Sequence, residues 1–147
     1  MAKAISKTIL SATDNLLEVR QFVSQAARQF GFSEEETSNI ALAVDEACTN
    51  IIRHAYQNDP NQSIEISIRH QKDKFEVSIV DEGKQFDPQT LRPLDLKEHL
   101  SHYRRGGLGV YLMKKLMDRV EYDTLAGKKN QVRLVKFLHS VRSDAGS

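Results

Sequence analysis

The chain predicts an α+β fold, a two-layer sandwich with helices on one face of a mainly antiparallel sheet. Three observations carry that expectation. Ile64, Ile66 and Ile68, then Phe75, Val77 and Ile79, alternate with polar neighbours, the period of strands buried on one side. Only Gln71-Lys72-Asp73-Lys74 separates the two runs, which suits a hairpin and is too short for a crossover helix. Helical periods cluster elsewhere in the chain, whereas a doubly wound parallel sheet needs a helix between successive strands.

The elements follow in order. Ala4 to Leu10 alternates and reads as a first strand. Thr13 or Asp14 is placed to cap a helix whose Leu16, Val19, Val23, Ala26, Ala27 and Phe30 recur at helical spacing, and Gly31 ends it. Ser33 with Glu36 three residues on is a capping-box signature for a second helix. Its buried stripe is Ile40, Val44, Ala47, Cys48, Ile51 and Ala55, flanked by Asn50 and His54, with Glu46 further round on the same side. Asn58-Asp59-Pro60-Asn61 breaks the chain before the hairpin. From Glu82 to Arg105 no period is sustained, the signature of a binding loop or lid, with room for a short helix. Gly106-Gly107-Leu108-Gly109 opens a third helix carrying Leu112, Met113, Leu116 and Met117. Val120, Tyr122 and Thr124 alternate, and Val132 to Leu138 reads as a last strand. Residues 1–139 are expected to form one domain and 140–147 a frayed tail.

Composition narrows the function. With 147 residues, 39% hydrophobic and 28% charged, the chain can bury a substantial core. A formal net charge of +1 gives no general field for nucleic acid or an anionic membrane, so direct binding to either is not expected. The single cysteine, Cys48, cannot form an internal disulfide and sits in a helix's apolar part, where it reads as a small buried hydrophobe. Neither a signal-peptide core nor a membrane-length apolar run is present, so the expected location is cytoplasmic.

Three segments carry the chemistry. In Asp45-Glu46-Ala47-Cys48-Thr49-Asn50, Glu46 and Asn50 lie four apart and so one above the other on a helix. A carboxamide oxygen can hold Mg²⁺, and the carboxylate beside it can accept a proton from an attacking hydroxyl; the pair is equally the pattern of a solvated stripe. In Asp81-Glu82-Gly83 an apolar strand ends in an acid and a glycine. The carboxylate can accept a hydrogen bond from an exocyclic amine such as adenine's, and the glycine leaves room for a flat base; an ordinary turn has the same residues. In Arg104-Arg105-Gly106-Gly107-Leu108-Gly109 a helix start presents free N–H groups, a phosphate-binding arrangement, or else a hinge. No Lys-Ser or Lys-Thr follows the glycines, so this is not a Walker A loop.

Helix Glu-x-x-x-Asn, strand-end Asp-x-Gly, a long loop and Gly-Gly-Leu-Gly, in that order, resemble the GHKL ATPases with their Bergerat nucleotide fold. More narrowly, the chain resembles the bacterial anti-sigma factor serine-protein kinases of the RsbW and SpoIIAB type. The supporting strings are residues 45–56, 81–88, 106–113 and 117–122, and the resemblance runs from about Thr8 to Leu138. It implies that Asn50 binds Mg²⁺ and that Glu46 is the base toward a serine hydroxyl of a protein substrate. Asp81 is implied to bind the adenine amine, with Gly83 making room for the ring. Gly106, Gly107, Leu108 and Gly109 are implied to surround the phosphates, with Gly107 and Gly109 giving backbone amides. His54 is placed to approach a phosphate oxygen, and Arg104 or Arg105 to offset γ-phosphate charge. The loop from Lys84 to Arg105 is the implied lid. Two positions depart from the family pattern: Gln85 replaces a second glycine, and Gly127-Lys128-Lys129-Asn130 stands where Gly-Lys-Gly-Thr is usual, leaving Asn130 as the polar contact near adenine.

The resemblance implies an ATP-dependent serine-protein kinase and anti-sigma factor that phosphorylates a STAS-type antagonist. Unphosphorylated antagonist then competes with the sigma factor for the kinase, and a homodimer is common in the family. The alternatives are a nucleotide-binding module that regulates by contact only, and a switch kinase acting on a stressosome-like scaffold.

Overall fold

A computed structural model describes residues 3–83, 106–125 and 129–139. In chain order it contains β1 (Lys3–Leu10), α1 (Leu16–Phe30), α2 (Glu34–Asn50), β2 (Ser63–Gln71), β3 (Lys74–Asp81), α3 (Gly106–Leu116), β4 (Arg119–Leu125) and β5 (Lys129–Phe137). The five strands form one sheet in the order β1-β2-β3-β5-β4, every pairing antiparallel. The expected α+β sandwich is the fold observed.

Alternation decides which face the helices cover. Ile64, Ile66 and Ile68 on β2, Phe75, Val77 and Ile79 on β3, and Val132 and Leu134 on β5 are all buried on one side. Val19, Val23 and Ala27 of α1, and Ile40, Val44, Ala47 and Cys48 of α2, close over them. Phe30, Phe32 and Phe75 pack ring against ring beneath the end of α1. Helix α3 packs on α2 and buries Met113. Its far end is fastened to β5: Lys136 Nζ donates to the Leu116 carbonyl at 2.9 Å, and Asp118 accepts from the Phe137 N–H at 2.7 Å.

Three local features differ from the expectation or sharpen it. Neither Thr13 nor Asp14 caps α1; Thr13–Asn15 is a 3₁₀ turn, so the helix begins at Leu16 with Asn15 in front of it. The last strand begins at Lys129 rather than Val132, because Asn130 is held in the ladder opposite Asp81. Residues Ile51–Ala55 continue α2 as a π-helical turn, closed by the Tyr56 N–H donating to the Ile51 carbonyl at 2.8 Å. Gly31 does end α1, in a left-handed conformation at φ 119°. The capping box is also present: Ser33 Oγ accepts from the Glu36 N–H at 3.1 Å.

Candidate active site

The period-two rule builds the first corner of the site. Asp81 continues the inward series Phe75, Val77, Ile79, and Asn130 continues Leu134 and Val132, so both polar side chains lie at the end of an apolar stripe. They are register partners in the β3–β5 ladder. Asp81 is only 5% exposed. Its Oδ1 accepts from the Gly83 N–H at 2.8 Å and from Asn130 Nδ2 at 3.0 Å. A buried carboxylate needs such donors.

Gly83 sits against the helical layer. A Cβ built on it would meet the Ala55 carbonyl oxygen at 2.5 Å and Tyr56 Cδ1 at 2.6 Å. The glycine is therefore demanded by the close approach of strand end and helix end, whatever it does for a bound base. Tyr56 makes the same junction through its hydroxyl, which donates to the Ser63 carbonyl at 2.6 Å and accepts from the Glu82 N–H at 2.7 Å. Sequence spacing did not single out Tyr56. The signal available was a tyrosine following a buried helix stripe, since a buried phenol needs partners.

The second corner lies on α2. Asn50 is 7% exposed, and among the described residues its buried Nδ2 has no hydrogen-bond partner. Glu46, one helical turn earlier, is half-buried. The neighbouring acid is committed elsewhere: Asp45 Oδ1 accepts from Arg20 Nε of α1 at 3.2 Å. Of the two adjacent carboxylates, it is thus Glu46 that shares a face with Asn50. Burial and then the Asp45 charge push the Cys48 thiol up to about 12, which makes it an inert part of the core. His54 lies within the π turn, half-buried.

The glycine cluster occupies the expected place. Gly106, Gly107, Leu108 and Gly109 form the first turn of α3, whose leading N–H groups have no partner within the helix. Arg104, Arg105, Gln85 and the segment from Lys84 to Arg105 lie outside the described residues. So do Gly127 and Lys128. Tertiary structure thus brings Asp81, Gly83 and Asn130 into contact, and holds Glu46 and Asn50 on the helix that ends against Gly83.

Known proteins share the sequence pattern and the fold. Residues 9–136 match the family described as the histidine kinase-like ATPase domain. The serine-protein kinase RsbW of Bacillus subtilis is 35% identical over 130 residues, which cover 86% of this chain and 80% of that one. The SiaB-SiaC complex from Pseudomonas aeruginosa contains a chain of the same fold at TM-score 0.67 and 14% identity, covering 89% of this chain and 88% of that one. The RsbU and RsbW domains of a Mycobacterium tuberculosis protein match at TM-score 0.64 and 14% identity, over 92% of this chain and 32% of that one. No helix among the described residues is long and apolar enough to cross a membrane. The chain belongs to the histidine kinase-like ATPase family and, within it, to the group of RsbW serine-protein kinases.

Proposed function

We propose that the protein transfers the γ-phosphoryl group of ATP to a serine of a STAS-type antagonist. By binding a sigma factor in competition with that antagonist, it also acts as an anti-sigma factor. The kinase activity is that of its RsbW relatives; the identity of the partners is our reading. The observation that carries the catalytic part is that Glu46 and the buried Asn50 lie one turn apart on α2, the helix whose continuation ends against Gly83.

In this reading Asp81 accepts a hydrogen bond from the adenine amine, and the first turn of α3 offers backbone N–H groups to the phosphates. Glu46 accepts the proton of the serine hydroxyl as its oxygen attacks the γ-phosphorus and ADP departs. The residues present fit a Mg²⁺ ion: Asn50 carries a carboxamide oxygen, and a hard cation of this kind is held by few protein ligands and mostly by substrate phosphates. Asn50 would hold such an ion, which would supply charge neutralisation for the transferring phosphate.

The test is Glu46→Gln, assayed for ATP binding and for phosphate transfer to a serine-bearing STAS protein. Binding should persist while transfer falls about 10²–10⁴-fold, the usual contribution of a general base. Undiminished transfer removes Glu46 from that role. Loss of Mg²⁺-dependent ATP binding in Asn50→Ala, followed by calorimetry, tests the cation assignment. A wild-type protein that binds ATP and both partners yet phosphorylates neither would leave regulation by contact alone.

A further inference from the structure

We propose that Asn130 is a positioning residue that sets nucleotide specificity by fixing the Asp81 carboxylate; this rests on reading Asp81 as the adenine contact. Asn130 Nδ2 donates to Asp81 Oδ1 at 3.0 Å and to the Gly83 carbonyl at 3.0 Å. Both partners are acceptors only, so both amide hydrogens are spent and the orientation of the carboxamide is decided by chemistry. Asp81 Oδ1 in turn receives two N–H donors, from Asn130 and from Gly83. The carboxylate is thereby pinned through Oδ1, and Oδ2 is the oxygen proposed to accept from a base. Hydrogen bonds to a charged group in a buried setting are the stronger kind, so the restraint is substantial.

The consequence is a fixed carboxylate that accepts but does not donate. An amine at the purine 6-position satisfies it, whereas a carbonyl there sets acceptor against acceptor. Asn130 acts through Asp81: it holds the acceptor in register and denies the carboxylate the rotation that would soften the discrimination. The ladder explains why this residue reaches that carboxylate. Positions 81 and 130 are direct register partners on adjacent antiparallel strands, with both side chains on the helix-covered face.

The experiment measures the affinities of ATP and of inosine triphosphate, which has a carbonyl in place of the amine, by displacement of a fluorescent nucleotide. Wild type, Asn130→Ala and Asn130→Thr are compared, with melting temperature as the folding control. Wild type should prefer ATP. Asn130→Ala should lose about ten-fold in ATP affinity with little change for inosine triphosphate, as expected for losing one hydrogen bond to a charge. Asn130→Thr, keeping one donor, should fall between, and its ratio decides the matter if the alanine variant does not fold. If wild type shows no preference for ATP, the adenine assignment of Asp81 fails and this proposal with it. If wild type prefers ATP and the ratio survives in the variants, or both nucleotides weaken equally, Asn130 does not position Asp81 and only this proposal is overturned.

Discussion

Gly83 lies against the backbone of Ala55, so closely that a Cβ on the glycine would stand 2.5 Å from the Ala55 carbonyl oxygen. The end of β3 and the π turn that closes α2 are therefore locked together at one residue. Gly83→Ala forces one of them to move. Overpacking of this kind costs about 1–3 kcal/mol. Urea unfolding should show that loss, and ATP affinity should fall with it, since Asp81 is two residues away. A variant as stable as the wild type would mean that the two elements part easily.

Tyr56 holds the same junction by hydrogen bonds. Tyr56→Phe leaves the Glu82 N–H and the Ser63 carbonyl without their partner. The cost of stranding such groups is about 1–3 kcal/mol. Because the ring remains, packing on Gly83 is retained and the change isolates the hydroxyl. Denaturant midpoints for Tyr56→Phe and wild type measure it, and coincident midpoints would show water replacing the phenol at no cost.

Alkaline pH should destabilise the protein through a buried thiol and a partly buried phenol. Burial holds the Tyr122 phenol up at about 12, against an ordinary value of 10.0. Burial and the Asp45 charge hold the Cys48 thiol at about 12, against 9.0. Both folded values lie above the unfolded ones, so the folded state binds the protons more tightly. The stabilisation is complete below pH 9 for Cys48 and below pH 10 for Tyr122, and is lost as pH rises toward 12. Each group adds a slope of up to about 1.4 kcal/mol per pH unit in its window. Cys48→Ala should flatten the curve from pH 9 upward, whatever its effect at pH 7. Identical slopes for variant and wild type would place the thiol's titration elsewhere.

Ser33→Ala removes the cap of the helix that carries Glu46 and Asn50. The expected loss is about 0.5–2 kcal/mol, seen as a lower melting temperature. Ser33 lies at the far end of that helix, so nucleotide affinity measured well below the melting point should stay within about two-fold, as for independent sites. A large drop in affinity would show that the helix start and the site are coupled.

Much of this was legible in the sequence because periodicity is a local property. Period two on β2 and β3, period 3.6 on α1 and α2, and the Ser33–Glu36 box each depend on residues a few positions apart. The α2 stripe was read residue by residue, and every member is buried. Where the structure departs from those local patterns, longer-range contact decides. The start of β5 moved back to Lys129 because Asn130 pairs with a residue 49 positions away, which no window can see. The π turn of Ile51–Ala55 likewise lies where the end of the helical layer meets Gly83, a contact between residues far apart in the chain.

By itself the sequence determined the layers, the antiparallel hairpin, the helix carrying Glu46 and Asn50, and the glycine turn that opens α3, because hydrophobic spacing and capping chemistry act over one or two turns. Only the tertiary structure decided which polar groups meet. Asp81 and Asn130 come together because two inward-facing strand positions fall in register. Gly83, Ala55 and Tyr56 come together because the helical layer ends directly against the sheet. Contact between polar groups distant in the chain is set by the packing of the apolar faces beneath them, and that packing exists only once the sheet and helices have closed on each other.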